Sequence, residues 1–296
     1  MRRIGLIDVD GHHFPNIALM KLSAYHKMLG DDVEWYQPFT DRYDVVYMSK
    51  VFSTSPDYDL CINADKVFKG GTGYSISGET LPYYVEHIYP DYSLYNIEDT
   101  AYGYLTRGCP RGCSFCIVGE KEGRRSVKVA NLDEFWRGQK NIVLCDPNIL
   151  ACKEWEDLLG QLSESNAKVD FNQGLDARLL TPQKIDALNR IKISEIHFAW
   201  DKYDDGKVIL PKLEMFRELG KFKKTAHNAI VYVLCNYDTT IEQDLDRIYT
   251  LRRLGYWAYV MLYDKGHASK EHRRMQRWCN NRLIFAQCEK FEDYNG

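Results

Sequence analysis

The sequence predicts an α/β protein in which an open, partial (β/α)6 barrel follows a small Rossmann-like domain. From residue 100 onward, apolar runs of strand length alternate six times with segments of helical periodicity. That alternation is the signature of parallel strands joined by right-handed crossovers. Proline and glycine punctuate the helices. Thr181-Pro182 and Leu210-Pro211 place proline at helix starts, and Gly220 and Gly255 stand at helix ends. A shorter β-α-β-β pattern stands apart before residue 95. Six units are too few to close an eight-stranded barrel.

In chain order, residues 4–9 read as a buried strand and residues 17–29 as a helix stopped by Gly30. Residues 33–35, 44–49 and 60–68 supply further strands before Gly70-Gly71. Residues 75–100 hold Pro82, Pro90 and five tyrosines with weak periodicity, and so read as a linker with short helices. Strands follow at 101–105, 141–145, 168–171, 194–199, 228–234 and 256–262. Helices at 131–138, 153–163, 182–190, 211–219 and 240–254 lie between them. The expected divisions are 1–95, 96–264 and a basic C-terminal extension, 265–296.

Bulk properties narrow the function classes. Of 296 residues, 45% are hydrophobic and 27% charged, which suits a globular fold. A net charge of −3 excludes a strongly basic nucleic-acid carrier, while leaving room for local patches. No apolar run reaches the roughly 18 residues of a membrane span, so no membrane partner is expected. The opening Met1-Arg2-Arg3-Ile4-Gly5-Leu6-Ile7-Asp8 meets an acid too soon for a signal peptide, and a cytoplasmic location is expected. Nine cysteines is an odd count. Six stand singly and three fall within eight residues, a distribution of reduced thiols plus one dedicated metal site.

That site is Thr106-Arg107-Gly108-Cys109-Pro110-Arg111-Gly112-Cys113-Ser114-Phe115-Cys116, with C-x3-C-x2-C spacing. It follows the first strand of the regular region, and parallel α/β folds place their chemistry at strand C-terminal ends. Three thiolates this close suit an iron–sulfur cluster. A cubane with three protein ligands leaves one iron open, as a catalytic metal site requires. Gly108 and Gly112 let the backbone turn tightly. A structural zinc site prefers four ligands in paired knuckles, and a pure electron-transfer cluster prefers a fourth cysteine.

The motif resembles that of the radical S-adenosylmethionine (SAM) superfamily, including Phe115 just before the last cysteine. The T-R-G-C-P opening is similar to the subgroup of methylthiotransferases and cobalamin-binding members. The resemblance implies a [4Fe–4S] cluster on Cys109, Cys113 and Cys116, with SAM chelated at the open iron. It implies reductive cleavage of SAM to a 5′-deoxyadenosyl radical, Phe115 near the adenine, and flavodoxin or ferredoxin as electron donor. The alternatives are a cobalamin-dependent methyltransferase and a non-catalytic iron–sulfur or zinc protein.

Later strand ends supply candidate SAM contacts. Asp146 and Asn148 follow the second strand, where the resemblance implies contacts to the SAM amino group; a turn and helix cap explains the same residues. Arg178 follows the third, where a guanidinium fork suits a carboxylate. Asp201 follows the fourth, facing ribose or substrate, or forming a surface turn. Asn236 follows the fifth, where the resemblance implies a glycine turn against adenine; asparagine tolerates the left-handed conformation. Thr239 or Thr240 fits the cap of the next helix.

In the N-terminal region, Asp10 and His12 fit the start of the D-x-H-x-x-G pattern of cobalamin domains, but Pro15 replaces its glycine. Gly70-Gly71 is similar to the glycine pair of those domains. The segment is short for a corrin, so it reads as a degenerate relative, with His12 and His13 left as substrate contacts or loop residues. In the tail, Lys265, Lys270, Arg273, Arg274, Arg277 and Arg282 stand against Glu271, with Trp278 interleaved. Such a patch fits an anionic substrate, a nucleotide or nucleic acid such as tRNA. A charged helix is more often a solvated face, so a nucleic-acid partner is the less expected reading.

Overall fold

The computed structural model describes residues 1–296 apart from 12–13, 40–41, 79, 194 and 222–227. It has two units, Met1–Pro147 and Asn148–Gly296.

In the first unit, β1 (Arg3–Asp8) leads into α1 (Ile17–Met28), β2 (Asp32–Trp35), β3 (Tyr43–Ser49) and β4 (Ala64–Gly70). These strands make a parallel sheet of order β2-β1-β3-β4. β1 and β3 are buried at most positions, as central parallel strands require. Leu19 and Leu22 of α1 pack with Ile4, Leu6 and Val45. Asn16 caps α1 by accepting from Leu19 N, and Gly30 leaves it with φ 78°. Residues 60–63, expected to be strand, are irregular; pairing with β3 begins at Ala64, opposite Tyr43. The expected linker holds the short α2 (Tyr83–Glu86) and a 3-10 turn at Tyr92–Tyr95.

The rest of this unit carries β5 (Thr100–Gly103), β6 (Thr106–Arg107), α3 (Val118–Lys121), β7 (Val127–Lys128) and β8 (Asn141–Leu144). β5 pairs in parallel with β8, and β6 pairs antiparallel with β7. The helix expected over 131–138 is absent. Only a 3-10 turn, Leu132–Glu134, forms behind an Asn131–Glu134 capping box. Phe135 then departs to φ −135° and lays its ring against Gly103, where an added Cβ would stand 2.4 Å from it. Gly138, at φ 94°, and Trp136 Nε1 donating to Gln139 O close the turn instead. Burial of Phe135 overrides the local helix signal.

The second unit contains α4 (Trp155–Glu164), β9 (Lys168–Phe171), α5 (Pro182–Leu188), β10 (Lys192–Ile193), β11 (Ile196–Ala199) and α6 (Gly206–Leu219). It continues with β12 (Ala229–Cys235), α7 (Ile241–Arg253), β13 (Trp257–Leu262), α8 (Lys270–Asn280) and α9 (Arg282–Gln287). β11-β12-β13 is a parallel sheet, and β9 pairs in parallel with β10. Helices alternate with these strands as the sequence predicts, so the α/β class with parallel sheets is established. Among the described residues no closed barrel forms.

Two helix starts illustrate the local rules. Thr181 caps α5 with Pro182 in its first turn, as expected. Pro211, by contrast, lies inside α6, which begins five residues earlier at Gly206. Ile209 is buried in line with Leu213 and Phe216, and that apolar stripe carries the helix through the proline. A Cβ at Gly206 would stand 2.4 Å from the Trp200 ring, so the start is fitted to glycine.

The C-terminal extension is packed rather than free. Trp257 Nε1 donates to Cys279 O, and Trp278 is fully buried and donates to Cys288 O. Arg274 and Arg282 stack over Phe291 and Trp257. Trp278 therefore serves the core and offers no ring for stacking on a base. Among the described residues, no helix is long and apolar enough to cross a membrane.

Candidate metal centre

The cysteine loop is built from its root upward. β6 and β7 pin its two ends through Thr106 opposite Lys128 and Arg107 opposite Val127. Between them, Cys109 N donates to Gly123 O, and Cys116 N donates to Cys113 O. Gly108 has φ 82°, and a Cβ there would stand 2.1 Å from Arg125 O. Gly112 has φ 59°. Both conformations favour glycine, as the sequence indicated.

The root is braced by side chains that sequence reasoning missed. Glu122 accepts from Arg107 Nη1 at 3.0 Å and from Gly108 N at 3.2 Å. The Arg107 guanidinium in turn lies 3.8 Å from the Tyr104 ring centroid. Nothing in the spacing of Glu122 from the motif announces this role.

Asp146, expected to contact SAM, is buried in the same unit. Its carboxylate accepts from Leu105 N at 3.1 Å, Thr106 N at 2.5 Å and Thr106 Oγ1 at 2.6 Å. Burial pushes its pKa up to about 6, against those three hydrogen bonds and Arg107. Asp146 thus ties the end of β8 to the root of the cysteine loop.

Asp146→Asn puts an amide donor against backbone donors, and a buried mismatch of this kind costs about 1–3 kcal/mol. The pH dependence follows from the sign of the shift. A carboxyl whose folded pKa is raised contributes stability below its unfolded pKa and loses it as pH rises through about 6. The cost of Asp146→Asn is therefore larger at pH 4 than at pH 7. Urea unfolding of the cluster-free chain at both pH values checks it; equal costs would place Asp146 in a solvated setting.

All nine cysteines are thiols; Cys109 and Cys113 are half-buried and Cys116 is exposed. Phe115 is half-buried between them in sequence. Among the described residues, no three His, Cys, Asp or Glu side chains gather around one metal ion. A cubane takes each cysteine on a different iron, so its ligands need not converge on a point. Three thiols on one loop are the donor type that such a cluster takes.

The remaining candidates lie in the second unit. Arg178 Nε donates to Asp176 Oδ1 at 2.7 Å and Nη1 to Asp205 Oδ2 at 2.9 Å. Asn148 Nδ2 donates to Asp176 Oδ2 at 3.3 Å. Burial pushes the Asp201 carboxyl up to about 6, while Arg178 and Arg247 pull it down. Arg178, Asp176, Asp205 and Asn148 thus form one hydrogen-bonded cluster with Asp201 in its field. Asn236 takes φ 62° at the end of β12, the left-handed turn for which asparagine is suited. Beside it, the Tyr237 and Tyr263 rings meet at 4.6 Å. Thr240 caps α7, whereas Thr239 donates to Asp244.

In the N-terminal unit, Asp10 accepts from Val51 N at 2.8 Å and Phe52 N at 2.7 Å. Its carboxylate organises the loop after β3. His12 and His13 lie outside the described residues. Gly71 has φ 96°, and a Cβ there would stand 2.2 Å from Lys50 O. The glycine therefore answers to a backbone approach within its own sheet.

No family model matches the chain, and a search among curated proteins finds no match either.

Proposed function

We propose that the protein is a radical SAM enzyme. The observation that carries it is the C-x3-C-x2-C loop between β6 and β7. Three thiols stand there on a loop with two left-handed glycines, and buried hydrogen bonds brace its root. The chemistry that a [4Fe–4S] cluster on Cys109, Cys113 and Cys116 supplies is one-electron reductive cleavage of SAM to methionine and a 5′-deoxyadenosyl radical. A partial (β/α)6 barrel, with β5, β8, β9, β11, β12 and β13 as its strands, belongs to this reading as an expectation.

The chain's own residues have distinct parts in it. Asp146, Glu122 and Arg107 hold the loop root against displacement. Phe115 offers an apolar ring beside the ligands. Arg178, Asn148, Asp201 and Asn236 are the proposed SAM contacts, with Arg178 exchanging a carboxylate partner for that of the ligand. Reduced flavodoxin or ferredoxin is the proposed electron donor.

The test is anaerobic reconstitution with iron and sulfide, then dithionite and SAM. Release of 5′-deoxyadenosine is the expected result. A fully loaded cluster that leaves SAM intact would overturn the proposal, and zinc without iron in the purified protein would replace it with a structural metal site.

A further inference from the structure

Strand alternation gives the β11-β12-β13 sheet two different faces. Phe198 and Val231 point to one face, where Phe198 meets Phe216 of α6 at 5.1 Å. The other face carries His197, Tyr232 and Tyr259. The His197 ring stacks on Tyr232 at 5.3 Å and 8°, and Tyr232 meets Tyr259 edge-on at 5.8 Å. Asp170 of β9 and Glu195 just before β11 stand beside the imidazole, at 3.9 Å from Nδ1 and 3.7 Å from Nε2.

These polar groups are not satisfied by one another. The His197 side chain is 9% exposed, yet its Nδ1 has no hydrogen-bond partner among the described residues. The same holds for Asp170 Oδ1. Their 3.9 Å separation is too long for a hydrogen bond and short enough for one donor group to reach both. Buried polar atoms left in this state are uncommon and call for a partner, whether a water, an ion or a ligand group.

The charge selects the ligand. Two carboxylates face the site, and the nearby cation is Arg282, 3.6 Å from Glu195 and already stacked over Trp257. Burial holds the His197 pKa below its ordinary value, so the ring adds no positive charge at neutral pH. Glu195 is 43% and Asp170 38% exposed, although Asp170 Oδ1 itself is buried, so a ligand approaches through the exposed parts of the two side chains.

We propose that Asp170, Glu195 and His197, backed by Tyr232, form a binding site for a ligand carrying an amino, amidino or guanidino cation. That this ligand is the enzyme's substrate rests on the radical SAM reading; the binding itself does not.

The experiment uses the full chain without cluster or SAM, labelled at histidine for NMR. Benzamidinium is the probe, and benzoate is the anion of similar shape. Benzamidinium is expected to shift the His197 ring resonances saturably in the millimolar range, while benzoate leaves them in place. Asp170→Asn with Glu195→Gln, both at partly exposed positions, is expected to weaken binding about tenfold or more. The absence of a saturable shift would overturn the proposal. Equal shifts with benzoate, or undiminished affinity in the double variant, would also overturn it. Benzamidinium binding here, together with a reconstituted cluster that leaves SAM intact, would sink the radical reading and leave this site standing.

Discussion

Alanine at Cys109, Cys113 or Cys116 is expected to abolish iron–sulfur loading and, with it, release of 5′-deoxyadenosine. Losing an outer-shell partner of a metal site typically costs about 10–100-fold in affinity or activity, so losing a ligand itself costs at least that much. The fold should tolerate each change. Cys116 is exposed and the other two are half-buried, and substitutions at such positions shift stability by about 0.5 kcal/mol. Thermal unfolding of the cluster-free variants separates the two effects. Cys61→Ala, at an exposed cysteine outside the motif, is the matched control and should load and react normally. Iron and sulfide analysis reads the first effect, and chromatography of the nucleoside reads the second. Full loading in all three variants would remove the cysteine motif from the chemistry.

Local patterns in the sequence were informative wherever one residue type has one physical task. The glycine at the end of α1, the Thr181-Pro182 start of α5 and the Asn236 turn follow from backbone sterics alone, and each takes its expected conformation. Strands β8, β9, β12 and β13 fall where apolar runs lie between helices. Legibility stops where tertiary packing competes with a local signal. The capping box at Asn131 announces a helix, but Phe135 is worth more against Gly103 than in another helical turn. Pro211 announces a helix start, but the Ile209 stripe sets it earlier. The candidate site divides in the same way. The cysteines are adjacent in sequence and readable from spacing. The braces around them are not, because Glu122 and Asp146 reach the loop root only through the folded chain. The Asp170–His197 pair is still less visible, since its members sit on separate strands within ordinary strand patterns.

The largest effect on stability is expected at Arg247, which the sequence shows only as one charge in a charged helix. Its side chain and that of Asp244, one turn away, are both fully buried. Arg247 Nη1 donates to Trp200 O at 2.7 Å and Asp201 O at 2.8 Å, at the end of β11. Its Nη2 donates to Leu234 O at 2.7 Å, near the end of β12, and to Asp244 Oδ1 at 2.6 Å. One guanidinium therefore closes α7 onto two neighbouring strand ends and neutralises the buried Asp244. Arg247→Met removes the cation and leaves a buried carboxylate and three carbonyls without it. Breaking a buried pair from one side costs about 3–5 kcal/mol, a large share of the roughly 5–15 kcal/mol that holds a typical domain folded. Asp244→Leu added to Arg247→Met should recover part of the loss, because no isolated charge then remains. Urea midpoints of the two variants measure both steps. A single substitution costing under about 1 kcal/mol would show the pair to be solvated, as surface pairs are. The expected order also bears on the site. Asp201 and Asn236 stand at those same strand ends, so the arginine that stabilises the sheet also fixes where two proposed SAM contacts can be.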